Sequence, residues 1–171
     1  MQREYRSSDI IGKGEFAHIF ADTDLTRVCK LYLARDSVAW RQWAPRVQSE
    51  EITAYGLAGA IPALAPHIPV CGGAITVSRV LDEAGNDVSG RYLLSLGILL
   101  ERVNVCGEQK AVALTKQQYP YIWMLIHEFE EAGIYIGDAS ALNYSNDVAV
   151  RFIDFTTGFG ARLVAEVIGL D

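Results

Sequence analysis

Apolar residues alternate with glycines and polar turns along the first part of the chain, a pattern typical of short strands. Residues 5–33 predict three strands, and a glycine-rich turn within residues 10–20 joins the first two. The third strand, residues 26–33, is rich in β-branched and apolar residues around Lys30. We therefore expect the chain to begin with β-structure.

A helix is predicted next, because Asp36 or Ser37 can cap it and apolar residues then recur at helical spacing. It would run to about residue 60 with an interruption at Pro45. Prolines within residues 62–66 break the pattern beyond it.

Two longer strands are predicted over residues 70–80 and 91–103. The polar residues 82–87 between them are expected to form a hairpin loop. Residues 104–108 are typical of a linker, so we expect them to separate two parts of the chain.

The last third of the chain predicts a helix, a loop and a strand. Thr115 and Gln118 have the spacing of a capping box, and Gly133 is expected to end the helix. Residues 148–153 predict a strand, and one last helix is expected in residues 155–171. Together these elements predict an α+β fold.

Composition restricts the class of protein further. The 171 residues suit one domain, and a 50% hydrophobic content is typical of a globular chain. The net charge of −6 argues against nucleic acid and an anionic membrane surface as partners. No apolar run is long enough to span a bilayer, and the first residues lack the apolar region of a signal peptide.

Cysteine and histidine spacing gives no sign of a metal centre built from those residues. Cys29, Cys71 and Cys106 form no CxxC pair, so neither a zinc site nor a disulfide framework is indicated. The three histidines do not cluster either. We expect reduced thiols in a cytosolic compartment.

Oxygen donors near the end of the chain are the first candidate chemistry. Asp138 and Asn143 are close enough in sequence to lie on one tight loop, and the predicted strand 148–153 would deliver Asp154 beside it. Carboxylate and amide oxygens are the ligands that Mg²⁺ prefers. One acidic group would remain to orient a nucleophile.

A second set of candidates lies in the first half of the chain. Its turn has glycines that allow main-chain N–H groups to approach phosphate oxygens, and its residues are Gly12, Lys13, Gly14, Glu15, Phe16 and Ala17. Lys30 is unusual because apolar residues flank it inside a strand. Glu51 on the following helix, or alternatively Glu50, could pair with a lysine that holds phosphate.

In this order, the motifs resemble those of the protein-kinase-like superfamily: a glycine-rich loop, a strand lysine, a helix glutamate, D-x-x-x-x-N and Asp-Phe. The resemblance spans residues 11–156. It implies a two-lobed fold, with an antiparallel N-lobe sheet and one helix in residues 1–103 and a truncated, mainly helical C-lobe in residues 104–171.

The resemblance also implies a role for each motif. The glycine turn and Lys30 would bind ATP, while Glu51 would orient Lys30. Residues 99–103 resemble the hinge, whose main chain at Glu101 and Val103 would bind adenine. Asp138 would act on the substrate hydroxyl as the catalytic residue, and Asn143 and Asp154 would hold Mg²⁺.

Departures from the family pattern refine the expected subfamily. Ala17 replaces a third glycine, Gly137 precedes Asp138 where the family has arginine, and Thr156 replaces the glycine after Asp-Phe. Residues 155–171 leave no room for an activation loop and the usual C-lobe helices. The chain thus resembles minimal bacterial effector kinases.

The expected function is ATP- and Mg²⁺-dependent phosphoryl transfer to a Ser/Thr hydroxyl of a protein, possibly a host protein. The expected protein is a monomer, cytoplasmic or delivered into a host cytosol by a bacterial injection system. One alternative is a small-molecule phosphotransferase of the aminoglycoside type, which Gly137-Asp138 favours. The other is a pseudokinase that only binds a partner.

Overall fold

Five antiparallel strands form the main sheet of the computed structural model, which describes residues 3–104, 108–136, 150–154 and 156–157. The strands are β1 Arg3–Arg6, β2 Ile10–Lys13, β3 Ala17–Ala21, β4 Arg27–Leu33, β5 Cys71–Ile75, β6 Val77–Leu81, β7 Tyr92–Glu101, β8 Ile134–Tyr135 and β9 Thr156–Thr157. The α-helices are α1 Val38–Ala60 and α2 Glu108–Glu131, and 3-10 turns cover Ser7–Asp9, Ala65–His67 and Ser89–Arg91. The described part is therefore a mixed α+β fold.

The chain forms two compact units. The first comprises Met1–Gln48 and Cys71–Arg102, and the second comprises Ser49–Val70 and Val103–Asp171. Helix α1 contributes its first half to one unit and its second half to the other.

The main sheet of the first unit has the strand order β2-β3-β4-β7-β5. Strand β4 lies at its centre, with Lys30 opposite Ile19 of β3 and Ile98 of β7. Gly97 lets β5 approach β7 closely, because a Cβ there would lie 2.9 Å from Ile75 Cγ1.

A small parallel sheet of β1 and β6 differs from the predicted strands. The predicted strand 70–80 divides at Thr76, so that β5 joins the main sheet while β6 pairs with β1. The division lets Val77 and Val80 enter a buried cluster with Tyr5 and Phe20. Burial thus explains why one continuous extended stretch serves two sheets.

Cys29 belongs to the same buried cluster. Burial raises the pKa of its thiol to about 12, so the group stays protonated at neutral pH. The thiol therefore packs as an apolar group and is not a nucleophile.

Helix α1 continues through Pro45, where an interruption was predicted. Pro45 is exposed and is the eighth residue of the helix. The buried residues of the helix recur at helical spacing: Trp40, Ala44, Val47, Gln48, Glu51, Ala54, Tyr55 and Ala58. This buried stripe stabilises the helix across the proline.

Helix α2 begins at Glu108, so the prediction that Thr115 caps its start is wrong. A capping box needs only two side chains at a given spacing, and that spacing also occurs inside helices. Gly133 ends the helix as predicted, with φ of +74°. Among the described residues, no helix combines the length and apolar character that crossing a bilayer requires.

The predicted strand 148–153 is described from Val150 onward, and there only Phe152 forms a bridge. The Phe152 N–H donates to the carbonyl of His67 at 2.9 Å. Strand β9 follows and pairs with β8, Ile134 opposite Thr157 and Tyr135 opposite Thr156. In its described part, this segment is therefore bound to the 3-10 turn Ala65–His67.

We predict that Gly97→Ala lowers the free energy of unfolding by about 1–3 kcal/mol, because overpacking forces neighbouring groups apart. The added Cβ would lie 2.9 Å from Ile75 Cγ1 and 3.1 Å from the Ile75 carbonyl oxygen. Gly90→Ala is the matched control, since no atom lies within 4 Å of a Cβ there. Denaturant titration of both variants measures the difference, and equal stabilities would contradict the close approach of β5 and β7.

Candidate functional site

The predicted phosphate-binding turn connects β2 to β3. The Gly14 N–H donates to the Ala17 carbonyl at 2.9 Å, and a Cβ on Gly14 would lie 3.2 Å from that oxygen. The Phe16 carbonyl accepts the Leu33 N–H at 2.9 Å. The turn is therefore tight, as its glycines predict, and it is anchored to the end of β4.

Side chains at the tip of this turn contact the same scaffold. The Phe16 ring lies 5.0 Å from the Trp40 ring, and the Arg35 guanidinium lies 4.8 Å from the Phe16 ring. Arg35 also approaches Glu15 at 3.4 Å. Glu15 and Phe16 thus fix the conformation of the turn, while Lys13 is exposed.

Lys30 lies in the middle of β4, and its side chain is half-buried. It shares a face of the strand with Tyr32, whose ring centroid is 5.9 Å from the Lys30 Nζ. The residues on either side, Cys29 and Leu31, are buried in the cluster on the opposite face. Lys30 therefore projects from the face of the sheet opposite that cluster.

The predicted hinge begins at the end of β7. Glu101 is the last residue of the strand and lies opposite Arg27. The Arg102 N–H donates to the Thr26 carbonyl at 2.7 Å. Val103 follows without regular structure and belongs to the second unit.

The two candidate glutamates differ in environment. Glu51 is buried, with 4% of its surface exposed, whereas Glu50 is half-buried. The Thr157 hydroxyl donates to the Glu50 carboxylate. Glu50 therefore links α1 to β9, and Glu51 is the glutamate on the buried face of the helix.

Asp154 is exposed at the end of a segment that the second unit holds firmly. Val150 and Ile153 are bound through their carbonyls: the His67 Nδ1–H donates to Val150 at 2.7 Å and the Tyr55 hydroxyl donates to Ile153 at 3.2 Å. Phe152 between them is fully buried and meets the Phe129 ring edge-on at 5.4 Å. These bonds fix the main chain that leads to the Asp154 carboxylate.

Asp138 and Asn143 lie outside the described residues. Within the ranges that are described, no three or more His, Cys, Asp or Glu residues are grouped closely enough to hold a metal ion. The assignment of Asn143 and Asp154 to Mg²⁺ and of Asp138 to the substrate hydroxyl therefore stays a prediction.

Local sequence patterns did not identify Tyr55 and His67 as the residues that hold the Asp154 segment, nor Tyr121 as the residue that contacts the His67 ring. His67 lies between Pro66 and Ile68, in a segment whose prolines indicated only the end of a helix. Its partners are distant in sequence, so no local pattern could have identified them. The apolar spacing around Tyr55 did indicate a buried position.

His18 is the titratable group whose pKa the sheet lowers. Partial burial lowers the His18 pKa below the ordinary value of 6.5, and nearby Lys13 lowers it further. Its Nδ1 lies 3.0 Å from the Tyr92 hydroxyl, and the two rings meet edge-on. The imidazole is therefore neutral at neutral pH.

We predict that the free energy of unfolding falls as the pH drops below about 6.5, because the unfolded chain then binds a proton that folded His18 resists. This part of the loss is complete below the folded-state pKa. His18→Gln removes it and flattens the pH dependence between about pH 7 and about pH 5.

His127→Gln is the matched control, because His127 is exposed on α2 near Glu131. It should leave the fall in stability unchanged. Denaturant titrations across this pH range make the comparison. Identical pH profiles for wild type and His18→Gln would contradict the lowered pKa.

No protein-family model matches this chain, and no curated protein matches it significantly.

Proposed function

We propose that this protein transfers the γ-phosphoryl group of ATP, with Mg²⁺, to a Ser/Thr hydroxyl of a protein. The observation that carries the proposal is the pairing of β8 with β9. Tyr135 precedes Asp138 by three residues, and Thr156 follows Asp154 by two. In this chemistry a group that orients the hydroxyl and a group that holds the metal act on one phosphoryl group. The chain segments that carry Asp138 and Asp154 must therefore be neighbours, and the pairing of β8 with β9 supports this arrangement.

The sheet of the first unit supports the nucleotide-binding part of the proposal. The glycine turn ends at Ala17, and two residues later Ile19 lies opposite Lys30. A phosphate chain over the turn would thus be near a lysine on the adjacent strand. Main-chain N–H groups and an ammonium group are a common combination for phosphate.

The burial of Glu51 supports its proposed role in orienting Lys30. A carboxylate with 4% exposure is rare, because ionised groups are costly to bury without a compensating partner. Stability alone seldom favours such a group, since apolar residues usually serve equally well. We assign Glu51 this role ahead of Glu50, whose carboxylate binds Thr157.

Magnesium suits the donors that the proposal assigns to it. Asp154 provides an exposed carboxylate on a fixed segment, and Asn143 would add an amide oxygen. When bound, Mg²⁺ would neutralise charge on the phosphate oxygens. Lys30 would hold the same phosphates, the main chain of Glu101 and Val103 would bind adenine, and Asp138 would orient the hydroxyl.

The proposed setting is that of a minimal effector-type kinase. The proposed substrate is a protein, possibly of a host cell, and the enzyme acts as a monomer in the cytoplasm or after injection into a host cytosol. The motif order supports this setting.

Transfer of label from ATP to casein, in parallel with transfer to aminoglycosides, tests the proposal. We expect Mg²⁺-dependent labelling of protein and none of aminoglycosides. Labelling of aminoglycosides alone would favour the small-molecule enzyme. Binding of ATP without any transfer would favour a pseudokinase, and the absence of both would overturn the kinase-like assignment.

We predict that Asp154→Asn lowers kcat by about 100-fold or more while thermal stability stays near wild type, because the carboxylate is exposed. Glu130→Gln is the matched control, an exposed carboxylate on α2 changed to its amide. Steady-state kinetics and a thermal melt measure both effects. Turnover within about tenfold of wild type would remove Asp154 from the proposed metal site.

We predict that Lys30→Met lowers kcat far more than nucleotide affinity, because it removes phosphate alignment and keeps the apolar stem. Arg27→Met, an exposed position on the same strand, is the control and should change kcat little. A rise in the KM for ATP alone would make Lys30 a binding group only.

The double variant Lys30→Met/Glu51→Gln should lose little more than Lys30→Met alone, because the two residues act as one unit. Glu50→Gln in the same background serves as the comparison. Additive losses for Glu51 together with non-additive losses for Glu50 would transfer the role to Glu50.

A further inference from the structure

His67 occupies the 3-10 turn Ala65–His67 after α1, with 8% of its surface exposed. A carbonyl can only accept, so the 2.7 Å contact with the Val150 oxygen requires a hydrogen on Nδ1. In the neutral ring, Nε2 is then an acceptor, and the Tyr121 hydroxyl lies 3.3 Å from it. Two contacts thus define both the tautomer and the orientation of the imidazole.

The main chain of His67 makes a third contact with the same segment. Its carbonyl accepts the Phe152 N–H at 2.9 Å. Side chain and main chain of one residue therefore bind two alternate residues of an extended segment, Val150 and Phe152. A neighbouring strand normally supplies both bonds.

Within the described ranges, His67 is the side chain that donates to the Val150 carbonyl. Val150 is buried, and a buried carbonyl without a hydrogen bond is costly. Phe152 is fully buried against Phe129, so the segment has little room to move to another donor. The path of the main chain toward Asp154 thus depends on the imidazole.

We propose that His67 is the positioning residue for Asp154, acting through the main chain of residues 150–153. This inference rests on the proposed function, in which the Asp154 carboxylate holds Mg²⁺. His67 itself contacts neither metal nor substrate in this role. It fixes the direction of the Asp154 carboxylate, as residues that orient the ligands do in metal sites.

Two amide variants separate this role from general packing. In His67→Asn the side-chain amide nitrogen occupies the position of Nδ1, so the donor to Val150 is kept. In His67→Gln the amide nitrogen occupies the position of Nε2, so that donor is lost. Tyr121→Phe keeps the imidazole donor and removes only the hydroxyl that binds Nε2.

Hydrogen exchange of the full-length protein is the first readout, and it needs no activity. We expect the amides of residues 151–154 to exchange about tenfold faster in His67→Gln than in wild type, because an anchoring bond of the segment is lost. His67→Asn and Tyr121→Phe should stay within about threefold of wild type. Equal exchange in the Asn and Gln variants would overturn the proposed anchoring.

Binding of Mg²⁺ in the presence of ADP is the second readout, measured by calorimetry. We expect His67→Gln to weaken Mg²⁺ binding about tenfold or more, with His67→Asn near wild type and metal-free ADP binding unchanged in both. Faster exchange without a change in Mg²⁺ affinity would make His67 merely structural and overturn the proposal.

Failure of the proposed function would give a different result in these two measurements. If wild type binds no Mg²⁺ with ADP, the kinase assignment fails, and the positioning role fails with it. The exchange data would then still show whether His67 anchors residues 150–153. If wild type binds Mg²⁺ normally and His67→Gln does too, the positioning role alone is wrong.

Discussion

The buried stripe of helix α1 is the constraint on which both units depend. Trp40 begins it in the first unit, where its indole N–H donates to the Leu33 carbonyl at 2.8 Å and its ring packs near Phe16 and Tyr32. Tyr55 continues it in the second unit and binds the Ile153 carbonyl. Within each unit, a residue of this helix therefore donates to a main-chain carbonyl.

Small residues occupy several positions of this stripe. Ala44, Ala54 and Ala58 are fully buried, so packed neighbours come close to the helix main chain there. Glu51 lies among these positions, where an apolar residue would be the ordinary choice. Glu51 and Gln48 are the buried polar residues of the stripe, and the Gln48 amide donates to the Gly97 carbonyl at 2.9 Å.

Much of the first unit could be predicted from sequence because its signals are local. The glycine turn, the strand around Lys30 and the helix after it each depend on neighbouring residues, and the structure contains all three. The pairing of β1 with β6 could not be predicted in this way. A parallel pair between strands that are distant in sequence has no connecting turn whose residues could predict it. The shared burial of Tyr5 and Val77 explains the pairing.

The candidate site likewise has features that local sequence patterns predicted and features that they did not. Burial of Glu51 and the exposed position of Asp154 at the end of an extended segment agree with patterns in the sequence. The contacts that hold that segment could not be predicted in this way. Tyr55 and His67 bind it from remote parts of the chain, and Tyr121 in turn contacts the His67 ring. Periodicity predicted a strand at 148–153, since an extended segment with alternate buried residues has the same pattern whether a strand or side chains bind it.

Contacts within the second unit therefore hold the main chain before Asp154 and the strand that follows it. Phe152 anchors the segment in the core, while Tyr55 and His67 bind its carbonyls, and Thr157 ties the following strand to Glu50. So many contacts before and after one exposed carboxylate are typical of a site whose geometry matters.

Locating the metal directly is the most decisive measurement for this account. Crystals grown with Mn²⁺ and a non-hydrolysable ATP analogue would show Mn²⁺ by its anomalous scattering. The account predicts Mn²⁺ at about 2.1 Å from an Asp154 carboxylate oxygen, as for Mg²⁺, with the phosphates beside Lys30. Mn²⁺ bound away from Asp154, or nucleotide bound away from Lys30, would contradict it.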